Sequence, residues 1–235
     1  MIVDDIRLLM GKFLQADIPI CIVGELALNY YNAPRVVHDL ELCVPANDLE
    51  KATAMFNSEK DLLEPAVDSE YSVYTEYKRG FPRFRFCREQ DFHIVLFSDQ
   101  FCHLEPLSEN IVSYEEHQGT AEYSHEIFDT VSASEVASLP MPRFPPFFTG
   151  LCRTYTETKE VMAAIAAELL VDGMNLDERW CLAHFPPSQS DALKFALTLI
   201  EGKSSRISDF SPNEVTCFIA SREEAQRLLK IPGYV

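Results

Sequence analysis

Two carboxylates set two residues apart, Asp39 and Glu41, are the part of this sequence with the plainest chemical use. They fall in the run Val36 to Val44, which reads as a β-strand. Alternate residues of a strand share a face, so both acids project together while Leu40 points into apolar packing. Such a pair in an apolar strand is costly unless water, a cation or a hydrogen-bond donor meets it. A divalent cation is one answer, because hard cations take carboxylate oxygens together with the phosphate oxygens of a substrate. An edge strand with a wet acidic face is the other. Upstream, Gly24 separates the strand Ile18 to Val23 from a short helix, about Leu26 to Tyr31. A glycine there lets backbone approach a ligand at a helix N-terminus, where free amides attract anions. It serves equally as a plain strand-to-helix turn. Glu25, next in line, reads as a lid, as an acidic ligand, or as a first-turn acid favoured by the helix dipole.

The strand Asp91 to Phe97 offers a third polar group. Asp91, His93 and Val95 share a face by period two, so either Asp91 or His93 can stand beside the first two acids. Arg35 and His38 flank the acidic strand, and Arg35 is either a phosphate contact or a solvated loop residue. Arg83 and Arg85 share a face of the run Arg83 to Arg88. They suit a triphosphate, or pairing with surface acids that adds little stability. Farther on, Arg153 and Lys159 are six residues apart and lie on different helical faces, so at most one of them reaches a common site. No zinc spacing, GxSxG or GxxxxGK[ST] pattern is present.

Val23-Gly24-Glu25, thirteen intervening residues and Asp39-Leu40-Glu41-Leu42 together resemble the signature of small nucleotidyltransferases of the polymerase-β type. In that signature, an apolar residue, glycine and a small residue precede an apolar-flanked Asp-x-Asp or Asp-x-Glu. The resemblance covers about residues 1–100. It implies the nucleotidyltransferase fold and transfer of a nucleoside monophosphate from a nucleoside triphosphate to a small-molecule or protein hydroxyl. It further implies Mg2+, with Mn2+ as a substitute, held by Asp39, Glu41 and Asp91, with Asp91 activating the acceptor. Gly24, Glu25, Arg35, His93 and Arg153 would contact the nucleotide. Glu25 departs from the family's small residue and would repel phosphate unless it turns away or helps hold a metal. A catalytically degenerate relative, acting as a binding or regulatory module beside a protein partner, is the alternative.

Periodicity supplies the elements that would position these groups. Apolar residues recur at helical spacing from Asp4 to Ala16. Asn47 and Glu50 form a capping-box pattern for a helix to about Asn57. Residues 61–100 read mostly as strands: Leu62 to Pro65, an aromatic-rich run Tyr71 to Tyr77, and a hairpin of Arg83 to Arg88 with Asp91 to Phe97, turning at Glu89-Gln90. Residues 101–135 show no clear period and read as loops with one short strand and a short helix. Ser138 to Phe148 carries four prolines in eleven residues and reads as a connector. Helices follow over Phe147 to Val171, Leu176 to Phe185, Ser190 to Glu201 and Ser221 to Lys230. The pattern predicts an α+β fold, a mixed sheet with helices over residues 1–137 and a mainly helical part over residues 138–235.

A formal charge of −17 excludes nonspecific duplex binding, which needs clustered Lys and Arg, and it opposes binding to an anionic membrane. A small-molecule or protein substrate is expected instead. Seven cysteines without a CxxC pair read as reduced thiols. No cationic leader and no apolar run of about 20 residues are present, so a cytoplasmic location is expected.

Overall fold

The computed structural model describes residues 3–67, 71–88, 92–117, 122–206 and 215–235. Five strands, β1 (Cys21–Val23), β2 (Asp39–Val44), β3 (Leu63–Pro65), β4 (Arg83–Phe86) and β5 (His93–Ser98), build one sheet in the order β1-β2-β5-β4-β3. β2 and β5 run parallel and the other neighbours antiparallel. With α1 (Val3–Gln15), α2 (Gly24–Tyr30) and α3 (Leu49–Ser58) around this mixed sheet and helices beyond it, the fold is α+β.

Alternation along the strands divides the sheet into two chemically different faces. Leu40, Leu42, Phe84, Phe86, Ile94 and Leu96 are buried in the main core with Ile6, Leu9 and Phe13 of α1 and Phe56 of α3. The rings of Phe13, Phe56 and Phe84 meet edge to face, at centroid distances of 5.3 and 5.2 Å, a favoured arrangement for aromatic quadrupoles. The opposite face carries the polar residues. Directly paired residues share a face, so the register sets out two rows there. One row is Val23, Glu41, Val95 and Arg83; the other is Asp39, His93 and Arg85.

The C-terminal part is helical: α4 (Phe144–Thr158), α5 (Val161–Gly173), α6 (Glu178–His184), α7 (Ser190–Glu201) and α8 (Arg222–Leu228). Its core is continuous with that of the sheet. Tyr31, just past α2, packs its ring 4.8 Å from that of Phe144 and donates its hydroxyl to the Pro142 carbonyl at 2.6 Å. Trp180 meets Phe144 edge to face at 5.2 Å and Tyr234 stacks on it at 5.3 Å. Gly173 comes so close to the α2 end that an added Cβ would lie 2.4 Å from the Asn32 carbonyl oxygen.

Several expected elements take a different form. The run Tyr71 to Tyr77 is no strand: Thr75 and Glu76 bond back to the Ser72 carbonyl at 3.0 and 2.9 Å, and a 3-10 turn follows over Glu76–Lys78. Local bonding there takes up the groups a sheet ladder would use. The Asn47/Glu50 capping box does not form, because Ala46–Asp48 is itself a 3-10 turn and no side chain caps α3. The expected helix Phe147 to Val171 starts earlier and is broken in two. Pro145 and Pro146 occupy the first turn of α4, where a missing N–H costs nothing. Lys159 then takes a left-handed conformation, φ 62°, and the Glu160 side chain caps α5. Ser221 caps α8 as its sequence predicts, accepting from the Glu224 amide at 3.2 Å. The expected turn at Glu89-Gln90 and the expected strand start Asp91 lie outside the described residues, while the strands on either side pair antiparallel as expected. All seven cysteines are free. Among the described residues no helix is long and apolar enough to cross a membrane.

Candidate functional site

The polar sheet face opens on a cleft of about 720 Å³, roofed by α4 and α5. Gly24, Glu25, Arg35, His38, Asp39, Glu41, Arg83 and His93 all line it, so the structure brings together eight of the residues singled out in the sequence. Arg153 does not join them; it bonds Glu157 one turn along α4, at 3.3 Å. Lys159 lies at the α4–α5 break with its ammonium 5.3 Å from the Tyr155 ring centre. Asp91 falls outside the described residues. The position beside Asp39 on the neighbouring strand belongs to His93, whose Nδ1 is 3.5 Å from Asp39 Oδ1.

Asp39 and Glu41 are both buried, and their counter-charge is internal. Lys78 Nζ sits 2.7 Å from Asp39 Oδ2 and 2.8 Å from Glu41 Oε1, with the lysine side chain 4% exposed. Tyr77, the preceding residue, donates its hydroxyl to Glu41 Oε1 at 2.6 Å. The 3-10 turn Glu76–Lys78 is what delivers these neighbouring side chains to the acidic pair. Burial pushes the Glu41 carboxyl above the usual carboxylate range, against the opposing pull of Lys78 and Tyr77. Burial alone would depress the Lys78 ammonium, but Glu41 and Asp39 more than reverse this and raise it. Burial, reinforced by Glu41, also raises Tyr77, which therefore stays a phenol and a donor.

Each carboxylate oxygen of the pair faces a group of the protein. Asp39 Oδ2 and Glu41 Oε1 take Lys78, and Asp39 Oδ1 faces His93. Glu41 Oε2 lies against the glycine turn: a Cβ on Gly24, whose φ is +64°, would stand 2.2 Å from it. Gly24 thus makes room for a carboxylate of its own chain. A divalent cation requires several oxygens with open lone pairs, and one that bridged the two acids would compete with the Lys78 ammonium already on Asp39 Oδ2 and Glu41 Oε1. Among the described residues no group of three or more His, Cys, Asp or Glu side chains is placed to hold a metal. Of the expected Mg2+ ligands, Asp39 and Glu41 are both engaged by Lys78, and Asp91 lies outside the described residues.

Glu25 turns toward the loop that enters β2. It accepts from the His38 amide at 2.7 Å and lies 2.9 Å from His38 Nδ1, with Arg35 at 3.8 Å. Asn29 fixes the same loop, bonding the Arg35 amide at 2.7 Å and its carbonyl at 2.8 Å. Glu25 is therefore a brace between α2 and β2, beyond its place in the first helical turn.

Sequence reasoning gave Lys78 and Tyr77 no role. They lie 39 and 36 residues from their partners, in an irregular stretch without period. The available signal was the requirement itself, since two buried carboxylates need a cation. The roof was unassigned as well: Phe147, Leu151, Met162, Ile165, Ala166 and Leu169 give the cleft an apolar wall opposite its polar floor.

No family model matches the sequence, and no curated protein matches it. Among solved structures the chain is similar to the antibiotic-resistance factor ANT(2'')-Ia, studied in solution, with a TM-score of 0.42 and 10% identity over 86% of this chain and 92% of that one.

Proposed function

We propose that this chain is a small-molecule-binding protein whose acidic pair is neutralised by its own lysine in place of a metal ion, a metal-independent relative of the nucleotidyltransferases its motif resembles. One observation carries the reading: Lys78 Nζ contacts both Asp39 and Glu41 within hydrogen-bond distance, with all three residues buried. An internal ammonium needs no recruitment from solvent and holds the turn Glu76–Lys78 against the floor of the cleft. The cleft lies in the usual size range of small-ligand sites, concave and mostly apolar with a few convergent polar groups.

Metal-dependent transfer of a nucleoside monophosphate to an acceptor hydroxyl is the second reading. It is favoured by Gly24, Asp39 and Glu41 meeting at one cleft, and it requires Lys78 to leave both carboxylates. Calorimetric titration of nucleoside triphosphates, with and without Mg2+, on wild type and Asp39→Ala separates the two. The first reading expects no Mg2+-dependent binding by wild type. Mg2+-dependent binding that disappears in Asp39→Ala would overturn it in favour of the second.

A further inference from the structure

Arg83 stands in the same row of the sheet as Glu41, with Val95 between them. Adjacent strands are about 4.8 Å apart, so roughly 10 Å of backbone separates the two positions. Its neighbour on the same strand face, Arg85, pairs with Glu64 at 2.7 Å. Arg83 has no such partner. It is only 7% exposed, its Nε is buried without a hydrogen-bond acceptor, and among the described residues no carboxylate pairs with it. A buried guanidinium left unpaired is costly and normally finds an oxyanion. Arg83 lines the cleft, so a molecule bound there can supply the anion that no described carboxylate supplies.

We infer that the cleft binds an amphipathic organic monoanion, its oxyanion on Arg83 and its apolar body under α4 and α5; this rests on the small-molecule reading above and names its ligand class. The charge count selects a monoanion. Lys78 is committed to Asp39 and Glu41, and Arg35 leans toward Glu25. Glu25, Asp39, Glu41 and Glu160 all border the same space. A polyphosphate would place several negative charges among these acids with, among the described lining residues, a single uncommitted Lys or Arg to meet them, whereas one carboxylate, sulfonate or phosphodiester balances Arg83 alone. Arginine also suits the task, because its planar fork matches a two-oxygen anion and desolvates more readily than an ammonium. The apolar body is set by the walls: Phe92 and Phe97 rise from the floor, while Phe147, Leu151, Met162 and Leu169 descend from the roof.

The test is a fluorescence titration with two probes that differ by one charge, anilinonaphthalene sulfonate and the neutral phenylnaphthylamine, on wild type, Arg83→Met and Arg83→Lys. The wild type is expected to bind the sulfonate at least about tenfold more tightly than the neutral probe, the scale of one charge-assisted hydrogen bond. Arg83→Met is expected to lose that preference while keeping the neutral probe, and Arg83→Lys to retain part of it. Sulfonate preference that persists in Arg83→Met overturns the assignment of Arg83. Equal or weaker sulfonate binding by wild type overturns the monoanion inference and spares the small-molecule reading, even if Arg83→Met fails to fold. Failure of wild type to bind either probe overturns both.

Discussion

Lys78 Nζ lies 2.8 Å from Glu41 Oε1 in a pocket where the two side chains are 4% and 3% exposed. A buried ammonium between carboxylates contributes little net energy against a well-packed apolar substitute, but removal of one partner leaves an uncompensated charge. The sheet face around it is organised by that requirement. Tyr77 adds a donor to Glu41, Gly24 yields space to it, and His93 closes the far side of Asp39.

Lys78→Met is therefore expected to cost about 3–5 kcal/mol at neutral pH, the scale of breaking a buried ion pair, measured by urea unfolding. The pH dependence identifies the cause. The Glu41 carboxyl is already raised above its ordinary 4.5 by burial, and loss of Lys78 raises it further. A group whose folded pKa is raised adds stability below its unfolded value and loses it as pH rises through the folded value. The variant should thus regain stability as pH falls from 7 toward 5, relative to wild type. A loss independent of pH over that window would contradict a charge left on Glu41. In wild type, the raised Lys78 ammonium gives stability that is full below its ordinary 10.5 and disappears only as pH rises through its higher folded value.

Gly24→Ala is expected to cost about 2–5 kcal/mol. Alanine pays roughly 1–2 kcal/mol for the left-handed backbone, and its Cβ would overlap the Glu41 carboxylate, adding an overpacking cost of about 1–3 kcal/mol. Glu41 cannot swing away cheaply, because Lys78 and Tyr77 hold it. Combined with Glu41→Ala, the substitution should cost less than the two single losses added together, since the overlap is then gone. Strict additivity in this double-mutant cycle would mean that the glycine serves the turn alone.

How far the sequence foretold this arrangement depended on period. Strands β2, β4 and β5 and most helices were legible because apolar residues recur at two or at three and four, and the Asp39/Glu41 face followed from the same rule. Gly24 stood out as a glycine between a strand and a helix. Lys78 was not legible, because residues 71–78 form turns held by Ser72 and carry no repeat. The split of the long helix at Lys159 was hidden for a related reason: apolar spacing continues through the break, while one left-handed residue redirects the chain. Arg83 was visible on a strand face beside Arg85, but only the structure distinguishes the arginine with a carboxylate partner from the one without.

A second buried ion pair secures the helical part and should respond asymmetrically. Arg206 grips Asp172 of α5 with two bonds, at 2.7 and 2.6 Å, and the acid is 4% exposed against 19% for the arginine. Arg206→Leu leaves a buried carboxylate and is expected to cost about 3 kcal/mol or more. Asp172→Asn should cost less, because the longer, more exposed Arg206 can turn to water. Urea midpoints compare the two directly; equal losses would contradict the asymmetry.

The claim that Lys78 takes the place of a metal is tested most directly by Mn2+ titration followed through the electron paramagnetic resonance of the free aquo ion, comparing wild type with Asp39→Asn. Diffuse binding to a chain of charge −17 affects both proteins nearly alike, so the expected result is two superimposable titrations. A stoichiometric Mn2+ site present in wild type and absent from Asp39→Asn would contradict the claim.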